Sequence, residues 1–195
     1  MEVNFLEKTF KNKKVAVVGN SKGLLTSGFG KEIDSYDVVC RINKAFKIVP
    51  PFRSEYVKNI GSRTDVLFVN LFKRLGYRNG SPEVKLVQTS PCSYDDPDVT
   101  SLVSYIPERY MFQSLFDEFA PKKPSTGIRV LHLLKNYTKP KSIDVYGFDW
   151  KQKNPSFYGL HDDWSQTEHD FRKEQDYCMN NFFYEGSVFK LHEQK

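Results

Sequence analysis

A short apolar run that ends in a polar turn lies near the amino terminus, Val15-Ala16-Val17-Val18-Gly19-Asn20-Ser21. β-Branched residues dominate this run and no polar residue interrupts it, which is typical of a parallel strand buried on both faces. Similar apolar stretches follow at 37–41, 65–70, 84–88 and 143–148. We therefore expect a sheet of mostly parallel strands, in which the first strand leads directly into a Gly-Asn-Ser loop.

Helical patterns separate the later strands. Residues 107–119 carry apolar side chains at helical spacing, and a segment that opens with Ser125 places Ile128, Leu131 and Leu134 on one face. Strands that alternate with helices predict a single Rossmann-like α/β domain over residues 1–195, with helices on both faces of the sheet. In such folds the ligand binds beyond the carboxyl ends of the strands.

The composition excludes several kinds of protein. Hydrophobic residues make up 39% of the 195 residues, which is enough for a core. No stretch approaches the roughly 18 apolar residues of a membrane span, and the amino terminus lacks the apolar segment of a signal peptide. The net charge of +5 favours anionic ligands and leaves peripheral membrane contact open, but the basic residues are too dispersed for a nucleic-acid binder.

The cysteines indicate a reducing compartment. Cys40, Cys92 and Cys178 are odd in number, far apart and without the spacing of metal ligands. A disulfide scaffold and a zinc site are therefore both disfavoured. We expect free thiols and a cytoplasmic protein, or one of the host cytoplasm if the source is viral.

The loop after the first strand does not identify its ligand by itself. The glycines Gly19, Gly23, Gly28 and Gly30 do not fit the dinucleotide fingerprint, and Gly30-Lys31 is followed by Glu32 rather than by the Ser or Thr of a P-loop. A strand-to-helix turn without any ligand explains such a loop equally well.

Four segments together resemble the motifs of glycosyltransferase family 29, the eukaryotic-type sialyltransferases. Residues 15–43 are similar to the large sialylmotif in order and spacing, and residues 124–127 with 144–148 are similar to the small one. His161-Asp162-Asp163-Trp164 resembles the short third motif, and His169 with Glu174 matches the terminal H-x4-E pattern. The motif-bearing part covers about residues 13–180.

The resemblance implies transfer of sialic acid from CMP-sialic acid to an acceptor hydroxyl, with inversion of configuration and without a metal or another cofactor. The partners it implies are a nucleotide-sugar donor and a glycan or glycolipid acceptor. The positions that match donor-binding residues of the family are Asn20, Ser21, Asn43, Ser125, Thr126, Gly127, Gly147 and Phe148. Ser125 to Gly127 open a helix, where unpaired N–H groups attract an anion, although Ser and Thr are also ordinary helix caps.

Two histidines match catalytic positions of the family. His169 is the expected base, and Ser165 with Glu168 resembles a capping box, which predicts that His169 lies in the first turn of the last helix. His161 is expected to stabilise the departing CMP phosphate. We interpret Glu174 and Arg41 as structural, and residues 150–163 as a loop over the site.

The chain also departs from the family. Animal members join the large and small motifs by a disulfide, whereas residues 124–148 offer Cys40 no partner. This departure suggests a compact microbial or viral version. Three other functions stay open: transfer of another CMP-activated keto sugar of the 3-deoxy-ulosonate type, non-catalytic binding of a nucleotide sugar, and a dinucleotide oxidoreductase. The last is disfavoured because Arg41 stands where a ribose-binding acid would be expected.

Overall fold

The computed structural model describes residues 3–50, 53–69, 85–88, 109–150 and 169–192. The helices are α1 (Val3–Phe10), α2 (Gly30–Asp34), α3 (Val57–Ile60), α4 (Gln113–Phe119), α5 (Thr126–Tyr137) and α6 (Phe171–Asn181). The strands are β1 (Lys14–Val18), β2 (Val38–Ile42), β3 (Val66–Val69), β4 (Lys85–Gln88), β5 (Ser142–Tyr146) and β6 (Phe189–His192). Short 3₁₀ helices span Lys22–Thr26, Asn43–Ile48 and Arg109–Phe112.

The strands form one sheet in the order β4-β3-β2-β1-β5-β6. Each pairing between neighbours is parallel; Val15, for example, lies opposite Val38 on one side and Ile143 on the other. The chain moves outward from β1 to β4 and then returns to the other side of β1. The strand order therefore reverses between β1 and β5, the place where open α/β sheets bind their ligands.

Apolar clusters cover both faces of the sheet. Val15 and Val17 of β1 belong to a core that includes α1 and α5, whereas Ala16 and Val18 belong to a second core with α2 and α3. This alternation follows from the period of two along a strand, and it explains why β1 is apolar at every inward position. The predicted Rossmann-like α/β fold, with a parallel sheet and helices on both faces, is confirmed.

One predicted boundary is wrong. The last helix begins at Phe171 with Asp170 as its cap, so His169 lies just before the helix and not in its first turn. The Asp170 side chain accepts a hydrogen bond from the Lys173 N–H at 3.0 Å. Ser165 and most of the predicted loop 150–163 lie outside the described residues.

Candidate functional site

A cleft of about 160 Å³ opens at the carboxyl ends of β1, β2 and β5. It is bounded by the loops after these strands, the start of α5 and the start of α6. Its lining residues are Gly19, Asn20, Ser21, Ile42, Asn43, Ser125, Thr126, Gly127, Ile128, Gly147, Phe148, Asp149, Trp150, His169, Phe171 and Glu174. Within the described ranges, no group of three or more His, Cys, Asp or Glu side chains is placed to hold a metal ion.

The structure brings the predicted site residues together wherever it describes them. Asn20, Ser21, Asn43, Ser125, Thr126, Gly127, Gly147, Phe148 and His169 all line the cleft. His161 lies outside the described residues. The roles assigned to these side chains stay predictions, but the cleft brings together residues from five separate segments of the chain.

The loop after β1 supplies a buried acceptor. The Oδ1 atom of Asn20 is buried and receives no hydrogen bond from the described residues. A buried polar atom without a hydrogen bond destabilises a protein. The position of this oxygen in a cleft therefore points to a ligand that donates a hydrogen bond to it. The neighbouring Ser21 joins this loop to the end of β5, since its N–H donates to the Gly147 carbonyl oxygen at 3.1 Å.

The ring of Phe148 is wedged between two glycines. A Cβ atom built on Gly19 would lie 2.7 Å from Phe148 Cδ2, and one built on Gly127 would lie 2.8 Å from Phe148 Cε1. Gly147, which precedes the ring, has φ of 72°, a left-handed conformation that favours glycine. The three glycines therefore let the strand ends of β1 and β5 approach the start of α5 closely.

The start of α5 is linked to β2 through side chains. Asn43, which has a left-handed φ of 52°, donates from Nδ2 to Thr126 Oγ1 at 3.3 Å. The Nη2 atom of Arg129 lies 3.4 Å from the same oxygen, and this arginine is only 4% exposed. A buried guanidinium in the first turn of α5 adds positive potential to a helix end that already attracts anions.

Glu174 binds Ser125 with both carboxylate oxygens. The Ser125 N–H donates to Oε1 at 2.6 Å, and the Ser125 hydroxyl donates to Oε2 at 2.8 Å. Ser125 is the N-cap residue of α5, yet its side chain makes no capping hydrogen bond. The first turn of α5 thus lacks the usual side-chain cap, and its residues Thr126, Gly127 and Ile128 line the cleft, where a helix amino end favours an anion.

His169 is held through one ring nitrogen. Its Nδ1 lies 2.7 Å from the carbonyl oxygen of Lys123. Because a carbonyl oxygen can only accept, Nδ1 carries the hydrogen and the lone pair resides on Nε2. Two contacts, His169 with Lys123 and Glu174 with Ser125, therefore fasten the start of α6 to the segment that precedes α5.

Some lining residues escaped the sequence analysis. Asp149 directly follows the Gly147-Phe148 pair, so its place after a strand was an available signal, whereas Ile42, Ile128, Trp150 and Phe171 carry none. Glu174 is 2% exposed and has the structural contacts expected of it. Arg41 is fully buried, and it donates from Nη2 to the Ile60 carbonyl at 2.7 Å and from Nε to the Arg63 carbonyl at 2.8 Å, so it braces the fold.

Comparison with known proteins relates part of the chain to a family. Residues 4–93 match the family model of glycosyltransferase family 29 (sialyltransferase). This part of the chain is similar to the members of that family. No helix within the described segments is long and apolar enough to cross a membrane.

Relatives in this family come from plants and animals. The chain is 34% identical to sialyltransferase-like protein 1 of Arabidopsis thaliana over 143 residues, which are 69% of this chain and 27% of that protein. It is 48% identical to the rat alpha-2,8-sialyltransferase 8E over 58 residues, which are 30% of this chain and 14% of that protein. The chain thus spans about a quarter or less of the length of these relatives. They give no support to a microbial or viral origin.

Two solved sialyltransferase structures share the fold. A mammalian sialyltransferase superposes with a TM-score of 0.59 at 20% identity, covering 99% of this chain and 77% of that one. The sialyltransferase CstII from Campylobacter jejuni, in complex with cytidine-5′-monophosphate, superposes with a TM-score of 0.52 at 13% identity, covering 93% and 80%. At these identities the likeness concerns the fold alone.

Proposed function

We propose that the protein transfers sialic acid from CMP-sialic acid to a hydroxyl group of a glycan or glycolipid, with inversion of configuration. The observation that carries this proposal is the convergence of three of the four motifs, the large, the small and the terminal one, on one cleft at the reversal point of the sheet. The cleft combines a buried amide oxygen, the amino end of α5 and one histidine, which suits a nucleotide joined to an acidic sugar.

His169 is the general base of the proposed reaction. Its Nε2 lone pair accepts the proton of the acceptor hydroxyl while the acceptor oxygen attacks the anomeric carbon from the face opposite CMP. The bond between the anomeric carbon and the phosphate oxygen breaks, and its electron pair leaves with CMP. The contact from Nδ1 to the Lys123 carbonyl supports this role because it keeps the lone pair on the other nitrogen.

The developing charge on the CMP phosphate needs stabilisation. In the proposal, the backbone N–H groups at the start of α5 and the nearby Arg129 guanidinium supply part of it. His161 supplies a hydrogen-bond donor to the phosphate, as its match to the third motif suggests. The proposed mechanism uses no metal ion or cofactor.

The reaction is proposed to take place in the cytoplasm. The described thiols Cys40 and Cys178 are both free and buried, as expected in a reducing compartment. Peripheral contact with a membrane that carries glycolipid acceptors remains part of the proposal.

Calorimetric titration of the purified protein with CMP in the presence of EDTA tests the donor site, with NAD as the control ligand. We expect CMP to bind and NAD not to bind. A transfer assay with CMP-sialic acid and with a CMP-linked 3-deoxy-ulosonate then tests the sugar. Binding of NAD in place of CMP would overturn the proposal, and turnover of the ulosonate alone would replace sialic acid as the transferred sugar.

A further inference from the structure

Asp149 places a second carboxylate in the cleft besides that of Glu174, whose two oxygens are bonded to Ser125. It follows Phe148 at the carboxyl end of β5 and lines the cleft beside the loop after β1. The Ser21 hydroxyl donates to Asp149 Oδ2 at 2.6 Å, although the two residues are 128 positions apart in the chain. None of the roles assigned to the four motifs uses this carboxylate.

The chemistry of a carboxylate limits what Asp149 can contact. An ionised carboxylate only accepts hydrogen bonds, and it repels phosphates and other carboxylates nearby. A position facing the phosphate or the acid group of the donor is therefore unfavourable for Asp149, whereas the Glu174 carboxylate at the start of α5 is compensated by its two hydrogen bonds from Ser125. Asp149 instead suits a neutral part of the donor that carries hydrogen-bond donors.

Among the neutral parts of the donor, the sheet topology favours the ribose as the group that Asp149 contacts. Nucleotide-binding α/β proteins commonly hold the ribose hydroxyls with an acid at the end of the strand next to the first one. On the β2 side the strand ends at Ile42 and is followed by Asn43, which brings an amide and no carboxylate into the cleft. β5 is the other neighbour of β1, and its carboxyl end supplies Asp149.

We infer that Asp149 accepts hydrogen bonds from the ribose hydroxyls of the donor and makes the site selective for ribonucleotides over deoxyribonucleotides. The inference rests on the proposed function, since it presupposes a CMP-sugar donor. Two adjacent hydroxyls match the two acceptor oxygens of a carboxylate, and hydrogen bonds to a charged group are the stronger kind.

Ser21 is the positioning residue of this arrangement. A serine hydroxyl has one hydrogen, which Ser21 donates to Asp149, while its oxygen accepts the Gly23 N–H at 3.3 Å. Ser21 therefore orients the carboxylate and does not itself donate a side-chain hydrogen bond to the nucleotide. The family-derived role of Ser21 in donor binding becomes, in this chain, an indirect one.

The test compares ligands and variants in one set of titrations. CMP and 2′,3′-dideoxy-CMP are titrated into the wild-type protein, Asp149→Asn and the control Asp176→Asn, which removes an exposed carboxylate from α6. We expect the wild type and Asp176→Asn to bind CMP about 10-fold or more tightly than the dideoxy nucleotide, as charged hydrogen bonds of this kind allow. In Asp149→Asn the preference should fall below about 3-fold, mainly through weaker binding of CMP.

The outcomes separate this inference from the proposed function. If the wild type binds no CMP, the proposed function fails and the inference fails with it. If it binds CMP and the dideoxy nucleotide equally well, the donor class stands and the role of Asp149 is overturned. An equal loss of both ligands in Asp149→Asn, with an unchanged thermal unfolding temperature, would also overturn it. The variant Ser21→Ala provides a second reading, because it should reduce the preference for CMP without removing the carboxylate.

Discussion

His169 is oriented by a main-chain carbonyl, and this choice of partner has a chemical consequence. The Lys123 carbonyl accepts from Nδ1 and so fixes the tautomer, but it contributes no full negative charge to the ring. A carboxylate at that position would stabilise the imidazolium form of His169 more strongly. The protonated ring would then release its proton less readily. A carbonyl partner thus suits a base that gives its proton back to solvent after each turnover.

Replacement of His169 by alanine should slow the reaction without removing the donor. We expect kcat to fall by roughly two to four decades, because a positioned base contributes about that much. The dissociation constant for CMP should stay within about 3-fold of the wild-type value, since the base contacts the acceptor rather than the nucleotide. Turnover by His169→Ala at the wild-type rate would remove this residue from the mechanism.

The pair of Glu174 and Ser125 allows a test of donor binding through a residue that is not itself catalytic. In Glu174→Gln one carboxylate oxygen becomes an NH2 group, which can only donate to the Ser125 oxygen. The charged hydrogen bond from the Ser125 hydroxyl is lost, so this side chain is held less tightly and can turn to cap α5. The cap then competes with the donor for the same N–H groups. We expect the KM for the donor to rise about 3- to 10-fold, since a helix cap contributes about 1 kcal/mol, with a smaller change in kcat.

A matched double variant removes the Ser125 hydroxyl, which would otherwise compete with the donor for the N–H groups of α5. In Glu174→Gln combined with Ser125→Ala, no hydroxyl is left to cap α5, so the donor KM should return toward the wild-type value. If the double variant is as impaired as the single one, Glu174 acts through the general packing of α6 and not through the serine. Circular dichroism and thermal unfolding of both variants monitor the fold.

At the scale of elements, the central strands were predicted to within a residue or two, and one helix start was not. β1 is apolar at each inward position because both of its faces are covered, and such a run permits few alternative interpretations. The capping-box pattern predicts Ser165 as the cap of α6, whereas the side chain of Asp170 caps the helix. α1, α2, α3 and β6 were not predicted. α2, α3 and β6 are only four or five residues long, whereas α1 does have an amphipathic pattern, with Leu6 and Phe10 buried four positions apart, that sequence reasoning did not use.

The contacts of Phe148 with Gly19 and Gly127 predict that alanine substitutions at the two glycines lower the free energy of unfolding by different amounts. Gly127→Ala should destabilise the protein by about 1–3 kcal/mol, because the new Cβ overlaps only the side chain of Phe148. Gly19→Ala should be worse, since its Cβ would also lie 2.5 Å from the backbone carbonyl oxygen of Gly147. Urea unfolding of each variant measures both effects.

Replacing the Phe148 ring by the smaller side chain of leucine should distinguish the effects of the substitutions at Gly19 and Gly127. Phe148→Leu in the Gly127→Ala background should recover much of the lost free energy of unfolding, as the overlapping ring atoms are removed. The same change in the Gly19→Ala background should recover little, because the backbone overlap remains. Equal recovery in both backgrounds would contradict the account of Phe148 as a wedge.

For the whole molecule, sequence reasoning located the cleft but not its internal hydrogen bonds. The carboxyl ends of parallel strands meet at one edge of a sheet, so residues such as Asn20, Asn43 and Gly147 could be grouped without a structure. The bonds from Ser21 to Asp149 and from Ser125 to Glu174 join residues 128 and 49 positions apart. Such pairings depend on how whole elements dock, which local patterns do not encode.

Global stability should depend on pH through His132. This side chain is 7% exposed on α5 and its Nε2 donates to the Met111 carbonyl oxygen at 3.1 Å. Burial lowers the pKa of His132 from the ordinary value of 6.5. As the pH falls below that value, the unfolded chain takes up a proton first, so the free energy of unfolding decreases until the pH passes the folded-state pKa.

The variant His132→Gln keeps a hydrogen-bond donor but does not titrate. Between pH 7.5 and pH 5 we expect the wild type to lose more unfolding free energy than this variant, measured by urea unfolding at several pH values. Parallel curves for the two proteins would show that His132 does not contribute to the pH dependence.

The central position of β1 has a consequence for how the protein is made. Its partner β2 follows within a few tens of residues, but its other partner, β5, emerges from the ribosome only after the long segment between β2 and β5 has been translated. Until then one hydrogen-bonding edge of β1 is unpaired, and the loop of Asn20 and Ser21 faces no opposite wall. A nascent chain that ends before β5 therefore lacks the cleft in which we propose that the nucleotide binds.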